Sequence, residues 1–368
     1  MANPVRNVTW RVHVLTPLHI GTGTELVEGF DFKVVGNETV VLDVDRVWEA
    51  ALLPAEEGGD LNLQLLRRPP AELVGPEDLK PGSDLVRYRM SGRPHGERIR
   101  EQIKDSFGRP YIPGSSLKGA IRTALLWAMV REGAAQVRPD RLGQKREWAA
   151  QTVERAAFGR DPNHDLLRAL RIGDSTPVRA DPPLRLINAY AFSAKGASIP
   201  INVEAIPNDA VMEVKVTVEE YLFTPEAERQ LGFGRWREWI TEKLPAVLHG
   251  WAEARIREEI DFCQARGWAG PLGLYRQLLA NLPSPRSGAF LIQVGWGTGW
   301  TGKTVGPALD AETRDDLVGR YRLSRGKHRR GDPFPVSRRM EGRQRERGVV
   351  PLRPLGWLLV ETVQGRGR

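Results

Sequence analysis

The chain has 368 residues, 40% hydrophobic and 27% charged, a length that suits about two domains and a composition that excludes a disordered chain. Its single cysteine, Cys263, excludes an intramolecular disulfide and a cysteine-built zinc site. The net charge of +8 favours a polyanionic partner, nucleic acid ahead of an acidic membrane surface, although an indifferent basic surface carries the same charge.

Residues Met1 to Trp10 have no apolar signal core, and no stretch approaches 18 uncharged apolar residues. A cytoplasmic protein without membrane spans is expected. Val8 to Leu15 alternates apolar and polar residues and reads as a strand that Pro17 ends. Phe30 to Val35 and Thr39 to Val44 read as two strands joined by the hairpin turn Gly36-Asn37, and Asp45 as the cap of a short helix. Residues 54–110 are rich in Pro, Gly and charge and read as a long insertion with short helices.

A helix starts at Ser115-Ser116, with the apolar stripe Leu117, Ala120, Ile121, Ala124, Leu125 and Ala128. A second covers about Gln144 to Phe158. Strands follow at Leu170 to Gly173, Leu184 to Phe192 and Val211 to Val218. A long helix over Trp236 to Phe262, interrupted at Pro245, precedes a short one near Leu272 to Leu282. Phe290 to Val294 and Trp357 to Val363 are the last strands. Strands and helices mix without regular βαβ spacing, which predicts an α+β fold.

Residues 320–347 hold eleven Lys and Arg against three acids, an excess as large as the net charge of the whole chain. The segment reads as a phosphate-binding loop or as a solvated one.

Three segments carry binding chemistry. In Gly114-Ser115-Ser116-Leu117-Lys118-Gly119-Ala120-Ile121-Arg122, a capped helix start offers backbone N–H groups to an anion, with Lys118 and Arg122 one turn apart; a helix with two surface cations has the same pattern. His19, Gly21 and Gly23 lie in a small-residue loop after the first strand, where the histidine is structural or stacks on a ligand. Gly297 to Thr304 satisfies the P-loop pattern, but Gly306-Pro307 stands where the P-loop helix belongs. A loop that clamps a nucleic-acid backbone through Gly295, Gly297, Thr298, Gly299 and Lys303, with Trp296 and Trp300 stacking on bases, fits better. No acids are spaced for general acid–base or two-metal chemistry. Asp174 reads as a turn residue.

Together these segments resemble the RAMP superfamily of CRISPR proteins. Thr16 to Gly23 is similar to its opening, Ile112 to Arg122 to its most recognisable element, and Gly295 to Trp300 to its C-terminal glycine-rich loop. Pro354-Leu355-Gly356-Trp357 is similar to its closing segment. The length and the Leu42 to Asp45 turn resemble the subunits that cap the guide-RNA 3′ end in type III-A effector complexes.

The resemblance implies two ferredoxin-like, RRM-related halves, placed at 1–184 and 185–368. It implies binding of CRISPR RNA near its 3′ end, neighbouring RAMP subunits, contact with target RNA, no cofactor or metal and no catalysis. The binding residues expected are His19, Gly21, Gly23, Gly114, Ser115, Ser116, Lys118, Arg122, Gly295, Gly297, Thr298, Gly299, Trp300 and Lys303. Two enzymatic alternatives stand beside this reading: an endoribonuclease using Asp31 or His19, and an ATPase with Lys303 on the phosphates.

Overall fold

The computed structural model describes residues 5–52, 63–179, 182–324, 326 and 328–363. Up to residue 184 lie strands β1 (Arg6–Val14), β2 (Gly21–Val27), β3 (Phe32–Val35), β4 (Glu38–Leu42), β5 (Val86–Ser91), β6 (Arg98–Gln102) and β7 (Leu170–Ser175). Beyond it lie β8 (Arg185–Ser193), β9 (Gly196–Ala197), β10 (Ile201–Ala205), β11 (Val211–Val218), β12 (Ala289–Gln293), β13 (Arg338–Arg345), β14 (Gly348–Pro354) and β15 (Trp357–Val363). The helices are α1 (Val44–Leu52), α2 (Gly114–Arg131), α3 (Gln151–Phe158), α4 (Pro225–Leu231), α5 (Arg237–Thr241), α6 (Leu244–Gln264), α7 (Ala269–Ala280), α8 (Gly299–Lys303) and α9 (Ala311–Arg320). The class is α+β, as expected.

The first sheet runs β12-β15-β1-β11-β7 and is antiparallel throughout. The alternation in β1 works as predicted: Trp10, Val12 and Val14 are buried, while Thr9, Arg11 and His13 point away. Leu117, Ile121 and Leu125 of α2 and Val247, Leu248 and Trp251 of α6 share that core. Each side chain of this kind contributes about 1.5–3 kcal/mol by leaving water. Trp127 and Trp251 meet edge to face at 5.3 Å where the two helices touch. The chain path is β1–α2–β7–β11–α6–β15.

The second sheet runs β2-β6-β10-β8-β5-β4-β3, with β13 on β8, β14 on β13 and β9 on β8. Both sheets take strands from either side of residue 184: β1 lies between β15 and β11, and β6 pairs with β10. Which apolar faces must be covered together decides strand partners, and distance along the chain does not.

Several local expectations differ. Of the expected insertion, residues 54–62 lie outside the described residues. The remainder contributes β5 and β6 to the second sheet, and Ala71, Val74 and Leu79 close a small core with Val40, Leu42 and Val47. Asp43, not Asp45, caps α1, its Oδ1 accepting from Arg46 N–H at 3.3 Å. The long helix is two, α5 and α6, with Pro245 in the first turn of α6, where a missing N–H leaves nothing unpaired. The helix expected from Gln144 starts at Gln151. In the basic segment, Arg325 and Lys327 lie outside the described residues, and 338–345 is strand rather than loop because Met340 buries against the core beside Tyr190. Cys263 is buried as expected, its thiol pushed up to about 12 chiefly by burial.

Candidate functional site

β1 ends at Val14, and Leu15 to Ile20 lead to β2, with Leu18 bridged to Ile206. His19 is buried there, with its Nδ1 donating to the Glu204 carbonyl at 2.7 Å. Burial pulls its pKa down to about 4, against the smaller upward pull of that carbonyl, so the ring is neutral at pH 7. Ile20 N–H donates to Gln102 Oε1 at 2.8 Å, and Gln102 N–H donates to Glu204 Oε2 at 2.9 Å. The loop therefore rests on a floor of buried polar groups from β6 and β10.

The start of α2 differs from the expected Ser cap. Pro113 occupies the cap position and no side chain caps the helix in the usual manner. Gly114 N–H donates instead to Asp174 Oδ1 at 2.8 Å, and Ser116 N–H donates to the Pro113 carbonyl at 2.9 Å. Asp174 thus anchors the helix to β7. A Cβ on Gly114 would stand 2.2 Å from the Ile172 carbonyl oxygen, so only glycine fits. Gly119 is the opposite case. A Cβ there would meet nothing within 4 Å, and packing does not require glycine at that point in the helix. We expect Gly119→Ala to raise stability by about 1 kcal/mol in a melting experiment, while Gly114→Ala lowers it by more than that. Equal and small effects would show that the backbone contact to β7 is not as close as drawn.

The third segment follows β12. Gly295 has φ +79°, and a Cβ on it would lie 2.5 Å from the His19 carbonyl oxygen. Trp296 N–H donates to that same oxygen at 2.8 Å. The loop then turns into the five-residue α8, which ends at Lys303, with Thr304 extended after it. A P-loop needs a helix that begins at that lysine. Here the helix stops there, so the pattern match is not a P-loop.

The three segments meet around one open cleft of about 670 Å³. His19, Gly21, Gly23, Ser115, Ser116, Gly295, Thr298 and Lys303 line it. Gly114, Gly297 and Gly299 lie in the same turns without lining the cleft. Trp300 faces elsewhere, its ring 5.0 Å from Phe334 and against Gly306, and does not stack in the cleft. Lys118 and Arg122 line a second cleft of about 560 Å³ that shares Ser115 and Gly119 with the first. Arg122 is not a free cation: it donates to Asp165 at 2.8 Å and Glu154 at 3.3 Å and lies 4.0 Å over the Phe158 ring. Lys118 is half-buried, which lowers its pKa against the opposing pull of Asp165.

Two cations outside the expected site residues stand here, Arg100 lining the first cleft and Arg339 against its Trp296. Arg100 of β6 and Arg339 of β13 hold their guanidinium carbons 5.4 and 4.8 Å from the Trp296 ring centre. Glu25 stands 3.7 Å from Arg100. Burial and the neighbouring Arg339 hold the Lys303 ammonium below the usual lysine range. The signal for Arg100 was the alternation in Arg98-Ile99-Arg100, hidden inside what reads as an insertion. Arg339 belongs to the basic segment 320–347 that the sequence singles out, but nothing local distinguishes it from the other arginines there.

The cleft therefore presents two lining cations, Arg100 and Lys303, beside a glycine-rich, backbone-lined wall, with Arg339 over the Trp296 ring at its edge, an arrangement that suits phosphates. Asp31 holds a turn, its Oδ2 accepting from Val27 N–H at 2.8 Å. Among the described residues, no group of three or more His, Cys, Asp or Glu could hold a metal ion, and no helix is long and apolar enough to cross a membrane.

Comparison with known proteins places these features in context. The RAMP superfamily matches residues 11–301. A Csm5 protein from Methanocaldococcus jannaschii is 22% identical over 318 residues, covering 83% of this chain and 74% of that protein. A Csm5 protein from Streptococcus thermophilus is 31% identical over 236 residues, covering 59% of this chain and 65% of that protein. Among solved structures, a chain of a Csm–crRNA–target RNA ternary complex in a type III-A CRISPR-Cas system aligns over 96% of this chain and 100% of its own length, with a TM-score of 0.69 and 26% identity. The crystal structure of T. onnurineus Csm5 aligns over 95% and 99%, with a TM-score of 0.64 and 26% identity.

Proposed function

This chain belongs to the RAMP superfamily, and on that premise we propose that it is a non-catalytic, RNA-binding subunit of a type III-A CRISPR effector complex. Its RNA is the CRISPR RNA near the 3′ end, its neighbours are other RAMP subunits, target RNA passes close by, and its location is cytoplasmic. The observation that carries the reading is the convergence of three glycine-containing segments, far apart in sequence, on one cleft edged by Arg100, Lys303 and Arg339. Flat backbone walls and cations suit a sugar-phosphate chain, which gives affinity without reading sequence.

The non-catalytic part rests on the two residues most suited to cutting. His19 is buried, neutral and committed to the Glu204 carbonyl, and Asp31 is committed to a turn. The path β1–α2–β7–β11–α6–β15, with spatial order β15-β1-β11-β7, supports a ferredoxin-like unit made from both ends of the chain. A second such half is proposed for the other sheet.

Affinity for single-stranded RNA, measured by fluorescence anisotropy at several salt concentrations, tests this. Arg100→Ala and Lys303→Ala should each weaken binding about tenfold, and affinity of the parent should fall steeply with salt. A flat salt response, or unchanged affinity in both variants, would refute the assignment of the cleft.

A further inference from the structure

The basic segment singled out in the sequence is not one surface. Arg338 is tied to Glu259, its Nε 2.7 and 2.8 Å from the two carboxylate oxygens, and its guanidinium lies 3.8 Å over Phe262. Arg330 pairs with Glu312, and Arg320 donates to the Pro139 and Leu142 carbonyls. Arg338 and Arg320 are committed to the fold, while the exposed Arg330–Glu312 pair adds little. Arg343, Arg345 and Arg347 do something else. All three are exposed, and among the described residues no carboxylate lies within ion-pair distance of any of them.

Their placement is set by the register of β13. The strand pairs with β8 only from Arg338 to Glu341, and from Gly342 onward it pairs with β14 alone. The outer part of the β13–β14 hairpin is therefore a two-stranded ribbon that projects past the sheet. Its root is fixed by buried Met340, by the Arg338–Glu259 pair and by Gly342, where a Cβ would clash with the Tyr190 ring. The bulge near Glu341 puts the extra residue, Leu352, on β14, so alternation along β13 is unbroken. Met340 and Gly342 face the core beside Tyr190. Arg339, Glu341, Arg343 and Arg345 share the other face, the one on which Arg339 lies over Trp296. The one acid of that face, Glu341, is already held by Arg185 and Arg353. Glu346, in the two-residue turn with Arg347, is the other acid nearby.

We propose that this hairpin is a second RNA-contacting surface, continuous with the cleft: RNA leaving Trp296 follows the outer face of β13, with its phosphates on Arg339, Arg343 and Arg345 and then Arg347 at the turn. The stripe spans about 20 Å at the ordinary strand rise. A ribbon with three unpaired arginines and no apolar cover on that face suits a polyanion rather than an apolar protein surface. The proposal rests on the RNA-binding reading of the cleft and adds a direction to it.

The full-length triple variant Arg343→Ala/Arg345→Ala/Arg347→Ala tests it, because the substitutions lie outside every core cluster. RNA of about four nucleotides, enough for the cleft, is compared with RNA of about twelve. The triple variant should melt like the parent and bind the short RNA equally well. It should bind the long RNA about tenfold more weakly near 0.15 M salt, with the slope of log affinity against log salt reduced by about 2. Unchanged affinity and slope for the long RNA would overturn the proposal. So would an equal loss for both lengths, which marks a general charge effect. Loss of assembly with partner subunits at unchanged RNA affinity would overturn it in favour of a protein-docking hairpin. Arg100→Ala measured in parallel separates the two levels: if it weakens both RNAs and the triple variant weakens neither, the cleft stands and the hairpin path does not. A parent that binds neither RNA overturns both.

Discussion

Replacing Lys104 with Ala is expected to destabilise the protein by about 3–5 kcal/mol, because it leaves a buried carboxylate without its counter-charge. Glu204 is fully buried, and the Lys104 side chain is 4% exposed. Lys104 Nζ lies 2.5 Å from Glu204 Oε2 and 4.8 Å from the centre of the Tyr88 ring. Tyr88 donates its hydroxyl to Glu204 Oε1 at 2.5 Å, and burial followed by the Glu204 charge pushes the phenol pKa well up, so it stays a donor. The carboxylate thus has three donors, Lys104, Tyr88 and Gln102 N–H, and loses its one cation in the variant. Charge removal on both sides should be far milder: Lys104→Met with Glu204→Gln removes the buried charge, and the amide keeps its oxygen for Gln102 N–H while its NH2 donates to the Tyr88 hydroxyl oxygen. Denaturant melts of the two single variants and the double give the coupling directly. A loss below about 1 kcal/mol in Lys104→Ala would mean that water reaches Glu204 and that the ion pair is not sealed. RNA affinity should fall with stability here, since the same carboxylate residue supplies the carbonyl that holds His19, and the same Gln102 holds Ile20.

The second large effect is at Gly295. Ala at this position must adopt φ near +79° and place its Cβ 2.5 Å from the His19 carbonyl and 3.0 Å from Leu18 Cδ1. Backbone strain of this kind costs about 1–3 kcal/mol, and the clash adds to it because the obstacle is backbone on a buried segment. The only relief is to move two cleft walls apart, which breaks the Trp296 N–H to His19 carbonyl bond. We expect a loss of at least about 2 kcal/mol and weaker RNA binding by whatever folded protein remains. Gly299→Ala is the comparison: it has φ +70° but nothing within 4 Å of its Cβ, so it bears the strain alone. Thermal melts of both variants decide the matter. If Gly295→Ala melts no lower than Gly299→Ala, the two loops are not locked together and the cleft is more adjustable than its geometry states.

The elements that could be read from sequence were those whose signal is local. Strand β1 announces itself by strict alternation and α2 by the stripe from Leu117 to Ala128, because each buries one face against the core. The three segments that line the cleft were likewise visible, since each is dense in small residues beside a turn or helix start. What could not be read were partners. Arg122 sits one turn from Lys118 and looks equally free, yet Asp165 and Glu154, both distant in sequence, neutralise it. Trp300 and Trp296 look equivalent in Gly295-Trp296-Gly297-Thr298-Gly299-Trp300, but Phe334 takes one ring and Arg100 with Arg339 flank the other. The basic segment looked uniform, yet Arg338 and Arg330 are paired with carboxylates of α6 and α9, while Arg343, Arg345 and Arg347 have no carboxylate within reach among the described residues.

By itself, then, the sequence determined the elements with a strong local pattern, such as β1 and α2, and which short stretches are dense in glycine. Tertiary structure alone decided that those stretches share one cleft, because strand order is set by which faces must be buried together. That order sets β1 between β11 and β15, both far from it along the chain. It alone also decided which cations remain available, since a charge is free or spent according to the carboxylates that folding brings within about 4 Å, and no spacing along the chain encodes that distance.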